Sequence, residues 1–94
     1  MKASRAEEVE KFTDIPNVGP RMAEDFELLG ITRPQNLKNK KAISLYRAIC
    51  KKTGKRYDPC VLDTYMAVVD FMNGAPAKPW YAYTKERKQA YPNI

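Results

Sequence analysis

Histidine is absent from the 94 residues, and cysteine occurs only twice, at Cys50 and Cys60. The first absence removes the commonest general acid–base side chain and a frequent metal ligand. Two thiols cannot complete a four-ligand zinc site within one chain, and a single possible bridge does not make a disulfide scaffold. No stretch approaches the ~18 consecutive apolar residues that a membrane-crossing helix needs. The opening residues M-K-A-S-R-A-E-E-V-E contain no apolar signal-peptide core, so a cytoplasmic location is the expectation. No catalytic constellation, metal site or cofactor is expected, and the chain does not read as an enzyme.

Acid is missing from the middle of the chain. Residues 1–31 carry four bases against seven acids, and residues 57–94 carry four of each. Residues 32–56 carry nine bases (Arg33, Lys38, Lys40, Lys41, Arg47, Lys51, Lys52, Lys55 and Arg56) and no acid. The whole net charge of +6 therefore originates in one block of 25 residues. Such a block points to an anionic partner, most often nucleic acid.

What the chain does have is helix punctuation. With 44% hydrophobic residues it can build one core, and its length suits one domain. Ser4 to Glu7 reads as a capping box opening a helix from Arg5 to about Phe12. T-D-I-P-N-V-G-P is turn chemistry. Pro20 suits the first turn of a second helix, which Gly30 ends. A short third helix follows over Ile31–Leu37, with Thr32 as cap and Leu37 as anchor. A fourth spans Lys41 to Thr53, its Ala42, Ile43, Tyr46, Ile49 and Cys50 falling on one stripe. Asp58 and Pro59 open a fifth, whose Val61, Leu62, Tyr65, Val68, Val69 and Met72 make it the central core helix. Asp63 and Asp70, one heptad apart, are expected on its solvated face. The fold class is thus all-α, a compact monomeric bundle of about five short helices over residues 1–75. Residues 76–94 form an aromatic-basic tail, extended at Pro76 and Pro79, with a helical turn near Thr84–Ala90, packed on the domain.

The residues from Ile15 to Ile31, I-P-N-V-G-P-R-M-A-E-D-F-E-L-L-G-I, resemble the helix-hairpin-helix motif of DNA-binding proteins. Ile15, Pro16, Val18, Gly19, Ala23, Leu28, Gly30 and Ile31 fall where that motif has its apolar and glycine positions. Asn17 stands where the motif usually has its first hairpin glycine, and asparagine tolerates a left-handed backbone. A helix beginning near Pro20 leaves its first amides without intrahelical partners and carries partial positive charge there. The amides around Asn17, Val18, Gly19 and Met22 would cradle a backbone phosphate. Gly19 keeps side-chain atoms out of the way, and valine in its place is expected to strain the turn. Arg21 would add a charge-assisted contact, and Val18 would pin the hairpin to the core. Lys51, Lys52, Lys55 and Arg56 would flank the cradle. None of these groups reads a base, so binding to DNA would be independent of sequence. Glu24, Asp25 and Glu27 make the same region locally negative, which leaves a second reading open: a packing or protein-binding hairpin in an adaptor for a larger DNA-processing protein.

Over nearly its full length the chain resembles the small bacterial helix-hairpin-helix proteins of the pathogenicity-locus family. The hairpin, L-Y-R-A-I-C-K-K-T-G-K-R-Y-D-P-C-V-L-D-T-Y and the tail around P-W carry the likeness. More loosely it is similar to the C-terminal domain of TfoX-type competence regulators. The resemblance implies a fold of about five helices and a DNA-related role, without implying a reaction.

Two further features admit two readings each. Cys60 in the first turn of a helix could have a lowered pKa and pair with Cys50, or both thiols could simply pack as small, unbridged hydrophobes. Trp80, Tyr81 and Tyr83, beside Lys78, Lys85, Arg87 and Lys88, could stack on unpaired bases or bury themselves against the core.

Overall fold

Asp58 and Pro59 start the longest helix where capping chemistry puts them. In the computed structural model, which describes residues 2–94, the Asp58 carboxylate accepts from the Cys60 amide at 2.8 Å. That amide holds the carboxyl below its ordinary range. Proline at the first helical position loses nothing, because its N–H would have no partner there. Four α-helices result: α1 (Pro20–Leu28), α2 (Ala42–Thr53), α3 (Pro59–Met72) and α4 (Thr84–Ala90). Four single 3₁₀ turns lie between and before them, and the described residues contain no strand. Among the described residues no helix is long and apolar enough to cross a membrane.

Helix α3 is the hub. Leu62, Tyr65, Val68, Val69, Phe71 and Met72 are all buried on it. Helix α2 packs Leu45, Tyr46 and Ile49 against it and ends at Gly54, which adopts φ 69° and lets the Lys55 amide reach the Cys50 carbonyl. Helix α1 contributes Phe26, whose ring stacks between Phe12 at 5.3 Å and Tyr65 at 5.4 Å. Full burial of one such ring is worth up to about 3 kcal/mol. At the end of α1, Gly30 at φ 80° allows the Ile31 amide to bond the Phe26 carbonyl and the Gly30 amide to bond that of Glu27. That paired arrangement is a Schellman cap, and it turns Ile31 back into the core.

Three expectations are corrected. The helix expected over Arg5–Phe12 is instead two 3₁₀ turns, Ala6–Glu8 and Phe12–Asp14. Glu8, rather than Glu7, gathers the Ser4 and Arg5 amides, and Asp14 gathers those of Glu10 and Lys11. A continuous helix would direct the Lys11 amide to the Glu7 carbonyl, and the Asp14 carboxylate captures it first. The short third element is likewise a 3₁₀ turn, Pro34–Leu37, with Arg33 rather than Thr32 at its N-cap and Leu37 fully buried.

The third correction concerns Asp63. Asp70 is exposed as expected, but Asp63 is completely buried. The tail folds back over this face of α3, and α4 places Arg87 against it. Arg87 Nε donates to Asp63 Oδ1 at 2.7 Å, and Thr84 Oγ1 donates to Oδ2 at 2.7 Å. The aromatic cluster divides on the same fold-back. Tyr83 is buried, with its phenol pushed up to about 12 by burial and then by Asp70, whereas Trp80 and Tyr81 stay exposed.

Candidate nucleic-acid interface

The turn before α1 is built by Pro16 and Asn17. The Val18 amide donates to the Ile15 carbonyl at 3.1 Å, closing a four-residue turn with Asn17 at φ 73°. Proline cannot take positive φ, so with Pro16 second and Asn17 third this is a type II turn, which requires a residue tolerant of the left-handed region at its third position. Asparagine in place of glycine therefore keeps the backbone geometry. Its side chain also has a task that glycine could not perform: Nδ2 donates to the Lys78 carbonyl at 2.8 Å, tying the tail to the turn.

The cradle differs from its sequence outline at Val18. That amide is committed to Ile15, and the side chain is buried in the core. It cannot also face a ligand, because closing the turn uses its only N–H. At the start of α1 the amides of Gly19, Arg21 and Met22 have no backbone acceptor among the described residues, and neither does that of Asn17 in the turn. Gly19 is the N-cap of α1 at φ −100°, an ordinary extended conformation. A Cβ added there meets nothing within 4 Å. The strain expected for valine at this position is thus absent, and the space in front of the glycine is open.

That space belongs to a groove of about 410 Å³. Asn17, Gly19, Arg21, Met22 and Asp25 line it from the turn and α1, and Lys55, Arg56, Tyr57 and Val61 line it from the segment after α2 and the start of α3. The left-handed Gly54 turn at the end of α2 reverses the chain and carries Lys55 and Arg56 to the groove. Lys51 and Lys52 lie outside the lining, exposed on the last turn of α2, where their charge suits the negative end of the helix dipole. The sequence-derived set therefore divides. Asn17, Gly19, Arg21, Met22, Lys55 and Arg56 meet at one groove, while Val18, Lys51 and Lys52 do not line it.

Two participants, Tyr57 and Lys2, were missed in the sequence, and Asp25 was read there only as a negative charge near the turn. Asp25 is the only one of the three α1 acids that is buried, and it accepts from Tyr57 Oη at 3.2 Å. Burial, and then the Asp25 carboxylate, push the Tyr57 phenol up. The Tyr57 hydroxyl ties the Asp25 carboxylate to the groove wall, while Glu24 and Glu27 are exposed and do not line the groove. An i, i+4 relation to Arg21 was the available signal for Asp25, but nothing local announces Tyr57. Below them the Tyr65 hydroxyl is buried with no hydrogen-bond partner among the described residues. The other missed residue is Lys2. Its ammonium donates to the Thr13 carbonyl at 2.7 Å and also to that of Val18, adding a cation behind the turn.

The thiols contribute no comparable chemistry. Cys50 and Cys60 are free and half-buried. Burial, followed by Asp58, pushes the Cys60 thiol up, so its place at a helix start does not yield an activated thiolate.

An all-helical domain with a cation-lined groove at a turn–helix junction is the class of protein that this architecture defines. Residues 5–89 match the family described as pathogenicity locus (Cdd1), and the chain belongs to that family. It is also 44% identical over 77 residues to the mitomycin resistance protein McrB of Streptomyces lavendulae, covering 82% of this chain and 73% of that relative. No solved structure gives a significant match.

Proposed function

We propose that Ile15–Ile31 is a helix-hairpin-helix element and that the domain binds DNA independently of sequence through it. In this reading a backbone phosphate sits at the free amides of Gly19, Arg21 and Met22. The Arg21, Lys55 and Arg56 side chains surround it, and the rest of the basic block supplies long-range attraction. The observation that carries the reading is the convergence of these three cations with the three unpartnered amides on one open groove. Amides and cationic side chains engaged on phosphate do not distinguish bases, so no sequence preference follows. No reaction is assigned.

Gly19→Val tests it. Because the glycine has an ordinary φ and an open Cβ direction, valine leaves the fold intact and fills only the ligand's space. Affinity for duplex or single-stranded DNA is expected to fall about tenfold or more at every salt concentration, the scale of losing hydrogen bonds to a charged group. The slope of log affinity against log salt changes by at most about 0.9. Undiminished binding would make the hairpin a packing element.

A second reading has one observation in its favour. Glu24, Glu27 and Leu28 share a face of α1 at helical spacing, and Leu28 is half exposed. A protein partner docking there would make the domain an adaptor in a DNA-processing complex, the reading that a failed Gly19→Val test selects.

A further inference from the structure

Two large aromatic rings are left on the surface of a domain that buries Tyr83 of the same tail and packs Tyr91 partly against its core. Trp80 is 39% exposed and Tyr81 66%, while Tyr83 is 5% exposed. The two outer rings meet edge to face at 5.7 Å, which leaves ring faces open to solvent. Lys78, Lys85 and Lys88 are exposed on the same segment, and Glu86 is the acid among them. The placement is fixed rather than loose. The carbonyl of Lys78, two residues before Trp80, is held by Asn17 of the hairpin turn, and Tyr83 and Arg87 anchor the far side in the core.

We infer that Trp80 and Tyr81 form a stacking platform for the unpaired bases of a DNA strand whose phosphate lies at the adjoining hairpin. This rests on the proposed phosphate site and adds the form of DNA it takes. In a duplex the base faces are already occupied by their neighbours, so exposed rings gain little from it. In a single strand each base offers a free face, and stacking is tolerant of sequence. Cations along the same segment track the backbone. The hairpin and the tail then act as one surface, with Asn17 as the joint between them.

Trp80 is the only tryptophan in the chain, so its emission reports on this platform alone. An unlabelled oligo-dT strand is expected to quench it on saturation, whereas a blunt duplex of equal length leaves it nearly unchanged. Fluorescence anisotropy of labelled versions of the same probes measures binding independently. Trp80→Ala and Tyr81→Ala should each weaken oligo-dT binding by about five- to a hundredfold, with duplex binding retained and Trp80→Phe recovering most of the loss. Both positions are exposed, so the variants keep the core. Bound oligo-dT with unchanged emission, or equal losses on both probes, overturns the platform while leaving the hairpin reading intact. Loss of binding in Gly19→Val with full quenching at whatever occupancy remains supports both. A wild-type protein that binds neither probe overturns both.

Discussion

The groove beside the Asn17 turn and the tail clamp both carry charged side chains, and they handle that charge in opposite ways. At the clamp, Asp63 is fully buried, and its two oxygens take hydrogen bonds from Arg87 and Thr84. At the groove, the amides of Asn17, Gly19, Arg21 and Met22 have no backbone acceptor, and Arg21, Lys55 and Arg56 lie exposed around an open space. Charge satisfied inside the molecule is committed to structure, because removing either partner strands the other. Charge left open beside free donors remains available to something outside. The same residue types thus separate into architecture and interface according to whether their partners are internal.

The largest expected effect breaks this comparison at the clamp. Asp63→Ala leaves the Arg87 guanidinium and the Thr84 hydroxyl without their acceptor under the folded tail. Chemical denaturation should show a loss of about 3 kcal/mol, the low end for breaking a buried pair. Arg87→Ala should cost a similar amount by stranding the Asp63 carboxylate. Replacing both together, as Asp63→Leu with Arg87→Met, should recover most of the stability, since a buried pair is often matched by apolar residues of similar size. If the single variants unfold like the parent, the clamp is not structural and the contrast with the groove fails.

The clamp is also where the sequence was least legible. Caps and periodicity located α1, α2 and α3 because those signals are local: Pro20 and Gly30 bracket the first, Gly54 ends the second, and Asp58-Pro59 opens the third. The turn at Asn17, with its left-handed residue, was readable for the same reason. Asp63 was not, because its heptad partner Asp70 is on the solvated side and only the return of residues 84–87 decides that the two differ. In the N-terminal segment, the carboxylates of Glu8 and Asp14 competed for helix amides, and that competition is hidden from apolar spacing. At the groove, Asn17, Gly19, Arg21 and Met22 came from the motif and Lys55 and Arg56 from the charge block. The exclusion of Lys51 and Lys52, and the Tyr57–Asp25 bond, depend on how the Gly54 turn directs the chain.

The division of the basic block gives the next comparison. Lys55→Gln with Arg56→Gln removes two cations from the groove lining, whereas Lys51→Gln with Lys52→Gln removes two from the neighbouring last turn of α2. On the phosphate reading, the first pair should weaken duplex binding by about tenfold near physiological salt and flatten the log–log salt slope by up to about 1.8, at roughly 0.9 for each phosphate no longer neutralised. The second pair should change the slope by less than half as much. All four residues are exposed, so thermal melts should stay close to the parent. Equal slopes for the two double variants would mean that the block acts as a diffuse field and that the groove has no privileged cations.

The smallest expected effect lies at Asn17, where the two regions join. This residue has two separable tasks, a left-handed backbone at φ 73° and a hydrogen bond to the Lys78 carbonyl. Asn17→Gly keeps the first and removes the second. Asn17→Ala removes the second and also forces a side chain with no local hydrogen bond into the left-handed region, at a cost of about 1–2 kcal/mol. Stability measured by denaturant should therefore fall by a few tenths of a kcal/mol up to about 1 kcal/mol for glycine, the scale of one net hydrogen bond, and by about 1 kcal/mol more for alanine. The fluorescence of Trp80 separates the tasks further. Its environment should loosen equally in both variants, because both lose the tie to Lys78, while the turn is strained only in alanine. Equal stabilities for the two variants would show that the turn does not need its left-handed residue. A Trp80 spectrum unmoved in either would show that the tail holds its place through Tyr83 and Arg87 alone, and that the hairpin and the aromatic pair are neighbours without being coupled.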